Sequence, residues 1–371
     1  MQVQTHNQVI SKESLVEDEK PIPPRFWWLK RGAMGFGLLL AMLCVLRFWW
    51  GHEAQRRIEA VAREAHARGE PFYPEDYRQA PVPDAENAAV PIQAAIGKLR
   101  RDAIPDLTNG SSEPPSSSEM RRLDAMIRHY QPELLLMRSA RSRPRVSFSK
   151  PQDLDTTSFA WMGQILVSAA NYEHAIGDDA AAVEYVCDAI MFADALDQSS
   201  ATIIPHLVAM GITADTFILL QRISLELSIS DHSGRGASPD QLRSLIATLL
   251  DERTVHAGAM RGTQGEGTRA INFVPDEGLM SDPLVVRVLN PVYKFDGARV
   301  YEFESDNAQA YCQPTFPAAR AKLKALSISK TSSLGMLANP VGVWYVDPPP
   351  DLPVRVQFKS LTERRIVAGQ W

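Results

Sequence analysis

The clearest pattern along this chain is an apolar run from Ala33 to Leu46, AMGFGLLLAMLCVL, with no charged or strongly polar side chain. By itself the run is short for a bilayer span. Its flanks extend it: Arg25-Phe26-Trp27-Trp28 precedes it and Arg47-Phe48-Trp49-Trp50 follows it. From Trp27 to Trp49 is 49 − 27 = 22 residues, or roughly 33 Å of helix, close to the thickness of the hydrocarbon layer. Indole rings favour the headgroup boundary, so Trp27, Trp28, Trp49 and Trp50 read as two interfacial belts. Lys30 and Arg31 can turn their charges outward beside them. A transmembrane helix is therefore expected over 32–50, after a tail of 1–31. A cleaved signal peptide is the competing reading, but no small-x-small cleavage site follows Leu46.

After the span the periodicity is helical almost throughout. Ala54, Ile58, Val61 and Ala65 recur at three- and four-residue steps, which predicts a juxtamembrane helix over 52–68 ended by Gly69 and Pro71. Asn87 is placed to cap a helix over 88–100, with Pro91 in its first turn and Ile92, Ala95, Ile96 and Leu99 inside. Residues 102–118 hold Pro105, Asn109-Gly110, Pro114-Pro115 and several serines, and read as a linker. Ser118 caps a short helix carrying Leu123, Met126, Ile127 and Tyr130. Pro132 opens another carrying Leu134, Leu135, Met137 and Ala140.

Three longer helices follow. One over 157–176 carries Phe159, Ile165, Leu166, Ala169 and Tyr172. After the turn Gly177-Asp178-Asp179, its partner to 197 carries Val183, Val186, Cys187, Ile190 and Leu196. A third over 203–228, capped by Thr202, carries Leu207, Val208, Gly211, Ala214, Ile218 and Leu225 along one side. Ser238-Pro239-Asp240-Gln241 is a capping box with proline at the first helical position. It starts a helix with Leu242, Leu245, Ile246 and Leu249. Gly262, Gly265 and Gly267 dilute any helix after residue 260. Helical patterns return near 283–290, 297–312 and 317–328. The stretch 341–346 reads as extended, and the alternation of Val354, Val356 and Phe358 predicts a short strand before a last helix from Ser360.

The fold class is thus mainly α, with the region after the linker, 119–371, as one helical globular domain and 51–101 as a juxtamembrane segment. Composition fits: 45% of residues are apolar and 22% charged, ordinary values for a folded chain. Net charge is −5 overall. Residues 1–50 hold six Lys/Arg and four Asp/Glu, so the remainder carries −5 − 2 = −7, which argues against a nucleic-acid partner. Lys12, Lys20, Arg25, Lys30 and Arg31 before the span balance Arg47, Arg56, Arg57, Arg63 and Arg68 at or after it. Because Lys30 and Arg31 abut the apolar run, the tail is expected in the cytoplasm and the domain outside, on the inner membrane. Cys187 and Cys312 either pair there or remain as two thiols.

Four groups of residues carry candidate chemistry, each with a plainer reading beside it. Arg261-Gly-Thr-Gln-Gly-Glu-Gly-Thr-Arg269 offers backbone N–H groups with Arg261, Glu266 and Arg269 around an anion; no strand precedes it and no Gly-Lys-Ser/Thr follows, so it equally reads as a flexible helix end. Glu173-His174 with Asp178 and Asp179 lie one turn apart but lack a second histidine at metal-ligand spacing. Glu184, Asp188, Asp194 and Asp197 can serve acid–base chemistry or form the wet face of a helix. Arg138, Arg141, Arg143 and Arg145 form a basic cluster for anionic lipid or an acidic partner, or a solvated helix end. No residue set predicts a metal or a cofactor.

The segment SAANYEHAIGDDAAAVEYVCDAIMFADAL resembles a tetratricopeptide-type helical hairpin, in which small residues let two helices approach. Together with PVPDAENAAVPI and SPDQLRSLIATLL behind an N-terminal anchor, it is similar to uncharacterised membrane-anchored helical proteins of bacterial cell envelopes. The resemblance covers most of 70–270. It implies an α-solenoid-like hairpin array and a compartment, and it transfers no catalytic residue. The expected function is a membrane-tethered scaffold whose partners are the lipid bilayer and another protein or peptide. The alternative is an envelope hydrolase that assembles His174, His206 or His256 with a distant carboxylate.

Overall fold

The computed structural model describes residues 26–99, 114–149, 154–199, 201–229, 234–272, 283–330 and 351–369. The chain is mostly helical, with no strand among the described residues. It divides into two compact units, Met1–His52 and Glu53–Trp371. The tail before residue 26, most of the linker and the stretch 341–346 lie outside the described residues.

Helix α1 runs unbroken from Trp27 to Ala67. In the first unit it exposes its apolar side chains on all sides, Met34, Phe36, Leu38, Met42 and Val45 among them. An 18-residue window of mean hydropathy 1.8 with none of it buried makes this helix long and apolar enough to cross a membrane. Trp27 packs edge-on against Trp28, and the Arg31 guanidinium lies 3.9 Å from the Trp27 ring centre.

In the second unit the end of α1 buries the expected stripe, Ala54, Ile58, Val61 and Ala65. Ile58, Val61 and Ala65 form a small core with Ala62, Phe72, Ala298 and Tyr301. Gly69 ends the helix with a positive φ of 73°, a conformation glycine adopts without strain. The remaining helices are α2 (Ala89–Ile96), α3 (Ser117–Arg141), α4 (Thr156–Ala175), α5 (Asp179–Ser199), α6 (Ile203–Ile223), α7 (Pro239–Leu250), α8 (Arg253–Ile271), α9 (Pro283–Tyr311), α10 (Phe316–Lys330) and α11 (Asp351–Ala368). Helices α2 to α7 and the end of α11 share the main core, including Ile92, Tyr130, Phe159, Ile165, Leu196 and Phe217.

Several local expectations give way here. Ser116, not Ser118, caps α3, accepting from the Glu119 N–H while the Glu119 carboxylate accepts from the Ser116 N–H at 2.7 Å. Pro132 does not open a helix; it sits inside α3, exposed, with Tyr130, Leu134 and Met137 buried around it. An internal proline costs a helix about 3 kcal/mol, and the packed apolar face on both sides of it outweighs that. Pro291 lies inside α9, here buried, so the two helices expected there are one. Residues 351–368 are helical rather than a strand followed by a helix. A three-residue alternation is too short to distinguish the two periods. Asn87 lies one residue before the α2 cap, and its Oδ1 accepts from Ala89 N–H at 3.0 Å and Ser147 N–H at 2.9 Å.

Helix α8 passes straight through the glycines that were expected to interrupt it. A Cβ built on Gly265 would lie 1.9 Å from the Ala201 carbonyl oxygen, and one on Gly267 would lie 2.9 Å from the Tyr301 Cα. Gly297 of α9 faces the Ile271 backbone at 2.6 Å in the same sense. These glycines let backbones touch; they are packing residues.

Candidate functional site

Two of the sequence candidates neutralise each other. The last turn of α3 presents Arg138 and Arg141 to the middle of α5. Arg138 Nε donates to Asp188 Oδ2 at 2.5 Å, Arg141 Nη1 donates to Asp188 Oδ1 at 3.2 Å, and Arg141 Nη2 donates to Glu184. Asp188 is fully buried; burial pushes its carboxyl upward and the arginines pull it back. Arg143 Nη1 donates to the Asp84 and Asn87 carbonyls, while Arg145 stands 4.0 Å from Glu86. Half of the basic cluster, Arg138 and Arg141, and half of the acidic row, Glu184 and Asp188, are thus one clamp between α3 and α5.

The glycine-rich candidates scatter. Arg261 donates to the Gln198 carbonyl, and Glu266 accepts from the Ile203 N–H at 3.1 Å. Both hold the connection between α5 and α6. Arg269 is exposed. His174 pairs with Asp179 at 2.6 Å, and Asp178 instead accepts from the Ala181 N–H. Among the described residues no group of three or more His, Cys, Asp or Glu is placed around a metal ion. Cys44, Cys187 and Cys312 are free thiols. Lys30, Arg31, Trp28, Trp49 and Trp50 are exposed and Trp27 is partly covered.

A polar centre forms where α5, α6, α8 and α11 meet, the other half of the acidic row supplying its carboxylates. Asp197 Oδ1 and His206 Nδ1 are 2.9 Å apart, both sealed from solvent. Gly258 of α8 gives them room; a Cβ there would lie 2.7 Å from the Asp197 carboxyl carbon. From α11, the fully buried Arg364 donates through Nη1 to the Asp251 carbonyl at 3.1 Å and places Nη2 3.6 Å from Asp194 Oδ1. Burial raises the Asp194 carboxyl to about 7, against the pull of Arg364. Burial also raises Asp197, which His206 and Arg364 oppose. Gln357, on the same face of α11, bonds His256 at 3.0 Å. Outside this centre lies an open recess of about 550 Å³ lined by Ala247, Leu250, Asp251, Glu252, Arg253 and His256.

Sequence reasoning named Asp194, Asp197, His206 and His256 but missed Arg364 and Gln357. Their signal was spacing: Gln357, Ser360 and Arg364 fall at i, i+3 and i+7, one face of a helix. It is divided between two expected elements, Gln357 falling in the short strand and Ser360 and Arg364 in the helix expected from Ser360.

Helix α6 turns the expected face outward. Leu207, Gly211, Ala214 and Ile218 do line one side, but Ile204, Leu207 and Ile218 are 51%, 41% and 42% exposed, while Val208 packs on the main core and Leu225 lies past the helix end at Ile223. The buried side is Ala209, Met210, Ile212, Thr213, Thr216, Phe217 and Leu220. The helix is apolar all round, so periodicity marks two stripes without choosing between them.

No protein-family model matches the chain, and no curated protein or solved structure is significantly similar to it.

Proposed function

We propose that this protein is a single-pass membrane-tethered helical interaction protein of the cell envelope, with α1 crossing the inner membrane and the outward face of α6 receiving a helix from a partner protein. The observation that carries the reading is the stripe Ile204, Leu207, Gly211, Ala214, Ile218. Large apolar residues stand at both ends and small ones in the middle, and a Cβ built on Gly211 would meet nothing within 4 Å. Small residues let a second helix approach closely while the flanking Leu and Ile supply buried area. The hairpin α4–α5, closed by Gly177 with φ 80° and continued by α6, supports the tetratricopeptide-like part of the reading. Trp27, Trp28, Trp49 and Trp50 support the span, and Lys30 and Arg31 support a cytoplasmic tail.

The hydrolase alternative has the Asp197–His206 pair in its favour. Against His206 as its base, the ring is only 1% exposed and its Nε2 has no hydrogen-bond partner among the described residues, so no substrate is in reach there; His256 beside Asp251 and Glu252 at the open recess is the grouping that favours this reading.

The test is a photo-crosslinking residue at Gly211 of the full chain in intact membranes. A discrete adduct that disappears on Leu207→Glu or Ile218→Glu is expected. Labelling no different from a crosslinker at exposed Arg243 refutes the α6 face, and extraction of the chain by alkaline carbonate refutes the tether.

A further inference from the structure

We propose that Cys312, Met260 and His256 form a binding site for a soft monovalent cation, Cu(I), where α8 meets the end of α9. This goes beyond the α6 face and the membrane tether and depends on neither.

Helix α8 carries His256 and Met260 at i and i+4, one turn apart on one face. Both side chains meet the end of α9 and the residue directly after it. His256 Nδ1 lies 2.9 Å from the Tyr311 carbonyl oxygen, and the Cys312 thiol donates to Met260 Sδ at 3.2 Å. Cys312 is exposed, and His256 and Met260 are partly exposed, so a cation can arrive from solvent.

The His256 ring is set for coordination. A carbonyl can only accept, so Nδ1 carries the ring proton and Nε2 keeps the lone pair. Gln357, 3.0 Å from the same Nδ1, backs this tautomer when its amide oxygen faces the ring. An imidazole whose other nitrogen is held by a backbone carbonyl is the usual form of a metal-binding histidine.

The donors select the ion. Thiolate and thioether sulfur bind Cu(I) well, whereas hard cations prefer oxygen ligands. The carboxylates that precede α8 are already engaged, Asp251 by Arg253 and Glu252 by Arg365. Charge points the same way. One thiolate balances one monovalent cation, while a divalent ion would leave excess positive charge beside Lys322, which already acts on Cys312. Binding replaces a proton: the Cys312 S–H bond breaks, a sulfur–copper bond forms, the proton goes to solvent and no electron moves. The S–H···S contact marks where the ion sits. With metal–sulfur bonds of about 2.3 Å, the two sulfurs at a trigonal ion stand roughly 4 Å apart. They must therefore part by somewhat under about 1 Å, which the three rotatable bonds of methionine allow.

The test uses the purified, reduced full-length chain in detergent, carrying Cys44→Ala and Cys187→Ala so that Cys312 is the one thiol. Titrated with Cu(I) against the chromophoric chelator bicinchoninate, it should withdraw one Cu(I) per chain. Cys312→Ser should abolish the uptake. Met260→Leu, which keeps the side-chain volume, should weaken it at least about tenfold. An equal concentration of Zn(II) should not displace the metal. Copper K-edge absorption of the loaded chain should show two sulfurs and one nitrogen around the ion. No uptake, uptake unchanged by Met260→Leu, displacement by Zn(II), or a metal shell without sulfur overturns the site. Two sulfurs without a nitrogen overturn the place of His256 in it.

Discussion

Gly265→Ala is the sharpest test of how this fold is held. In a helix interior the change ordinarily gains about 1 kcal/mol, because alanine loses less backbone entropy than glycine. Here the new Cβ would lie 1.9 Å from the Ala201 carbonyl oxygen and 2.7 Å from its carbon. Ordinary contact needs about 3.4 Å, so α8 or the α5–α6 connection must yield by roughly 1.5 Å. That connection is short, from Ser199 to Ile203, and it is pinned: Glu266 holds the Ile203 N–H, while Arg261 and Gln79 hold the Gln198 carbonyl. Overpacking costs about 1–3 kcal/mol, and each hydrogen bond disturbed adds about 1 kcal/mol. After the propensity gain, Gly265→Ala should destabilise by about 2–4 kcal/mol. Gly211→Ala supplies the control, since its Cβ would enter open space; it should stabilise by about 1 kcal/mol. Urea unfolding of the full chain in detergent, followed by far-UV circular dichroism at unchanged m, reads both. Should Gly265→Ala unfold at or above the wild-type midpoint, the close approach of α8 to residues 201–203 is wrong.

Three further outcomes follow from the electrostatics. Asp194 titrates near 7 in the fold against about 4 in an unfolded chain, so the folded state favours its protonated form. Its contribution is complete below about pH 4 and is lost as pH rises through 7, with an upper bound of about 4 kcal/mol; subtracting the pH–stability curve of Asp194→Asn from that of the wild type should leave a descent in this window, and a flat difference contradicts it. Asp188→Ala removes the carboxylate shared by Arg138 and Arg141, both of which retain some access to water. It should cost about 3 kcal/mol, whereas Glu184→Ala, at a more exposed partner of the same arginines, should cost under about 1 kcal/mol; equal losses by thermal denaturation would discount the clamp. Burial pushes the Cys187 thiol up to about 11 while Cys312 is exposed. Maleimide should therefore modify Cys312 in the native chain and reach Cys187 only after denaturation, as peptide mass mapping would show.

Much of the helical scaffold was legible because local signals agreed with one another. In α4, α5 and α7 the apolar period, the Gly177 turn and the Ser238 capping box all pointed the same way. The buried stripe at Ala54, Ile58, Val61 and Ala65 was read correctly because its neighbours are charged. Reading failed where a local rule was outvoted from a distance. Pro132 and Pro291 are tolerated by packing that no window of sequence contains. The α8 glycines mimic a flexible loop until the backbone of residues 201–203 is placed against them. Arg138 and Asp188 each looked like a wet surface charge, and their pairing spans 50 residues. The polar centre was half visible, since its carboxylates and histidines were nameable, but Arg364 looks like an ordinary charged position of the helix expected from Ser360 until Asp194 and Phe217 are placed against it.

The glycine seam of α8 also bears on temperature. Gly262, Gly265 and Gly267 meet their neighbours largely through backbone. The large positive heat capacity of unfolding comes from newly hydrated apolar surface. A seam of this kind exposes little of it when it opens. Its strength should vary weakly on cooling, whereas the core around Phe159, Ile165, Leu196 and Phe217 carries most of the curvature in the stability profile. Near freezing, the seam should be among the last contacts to weaken.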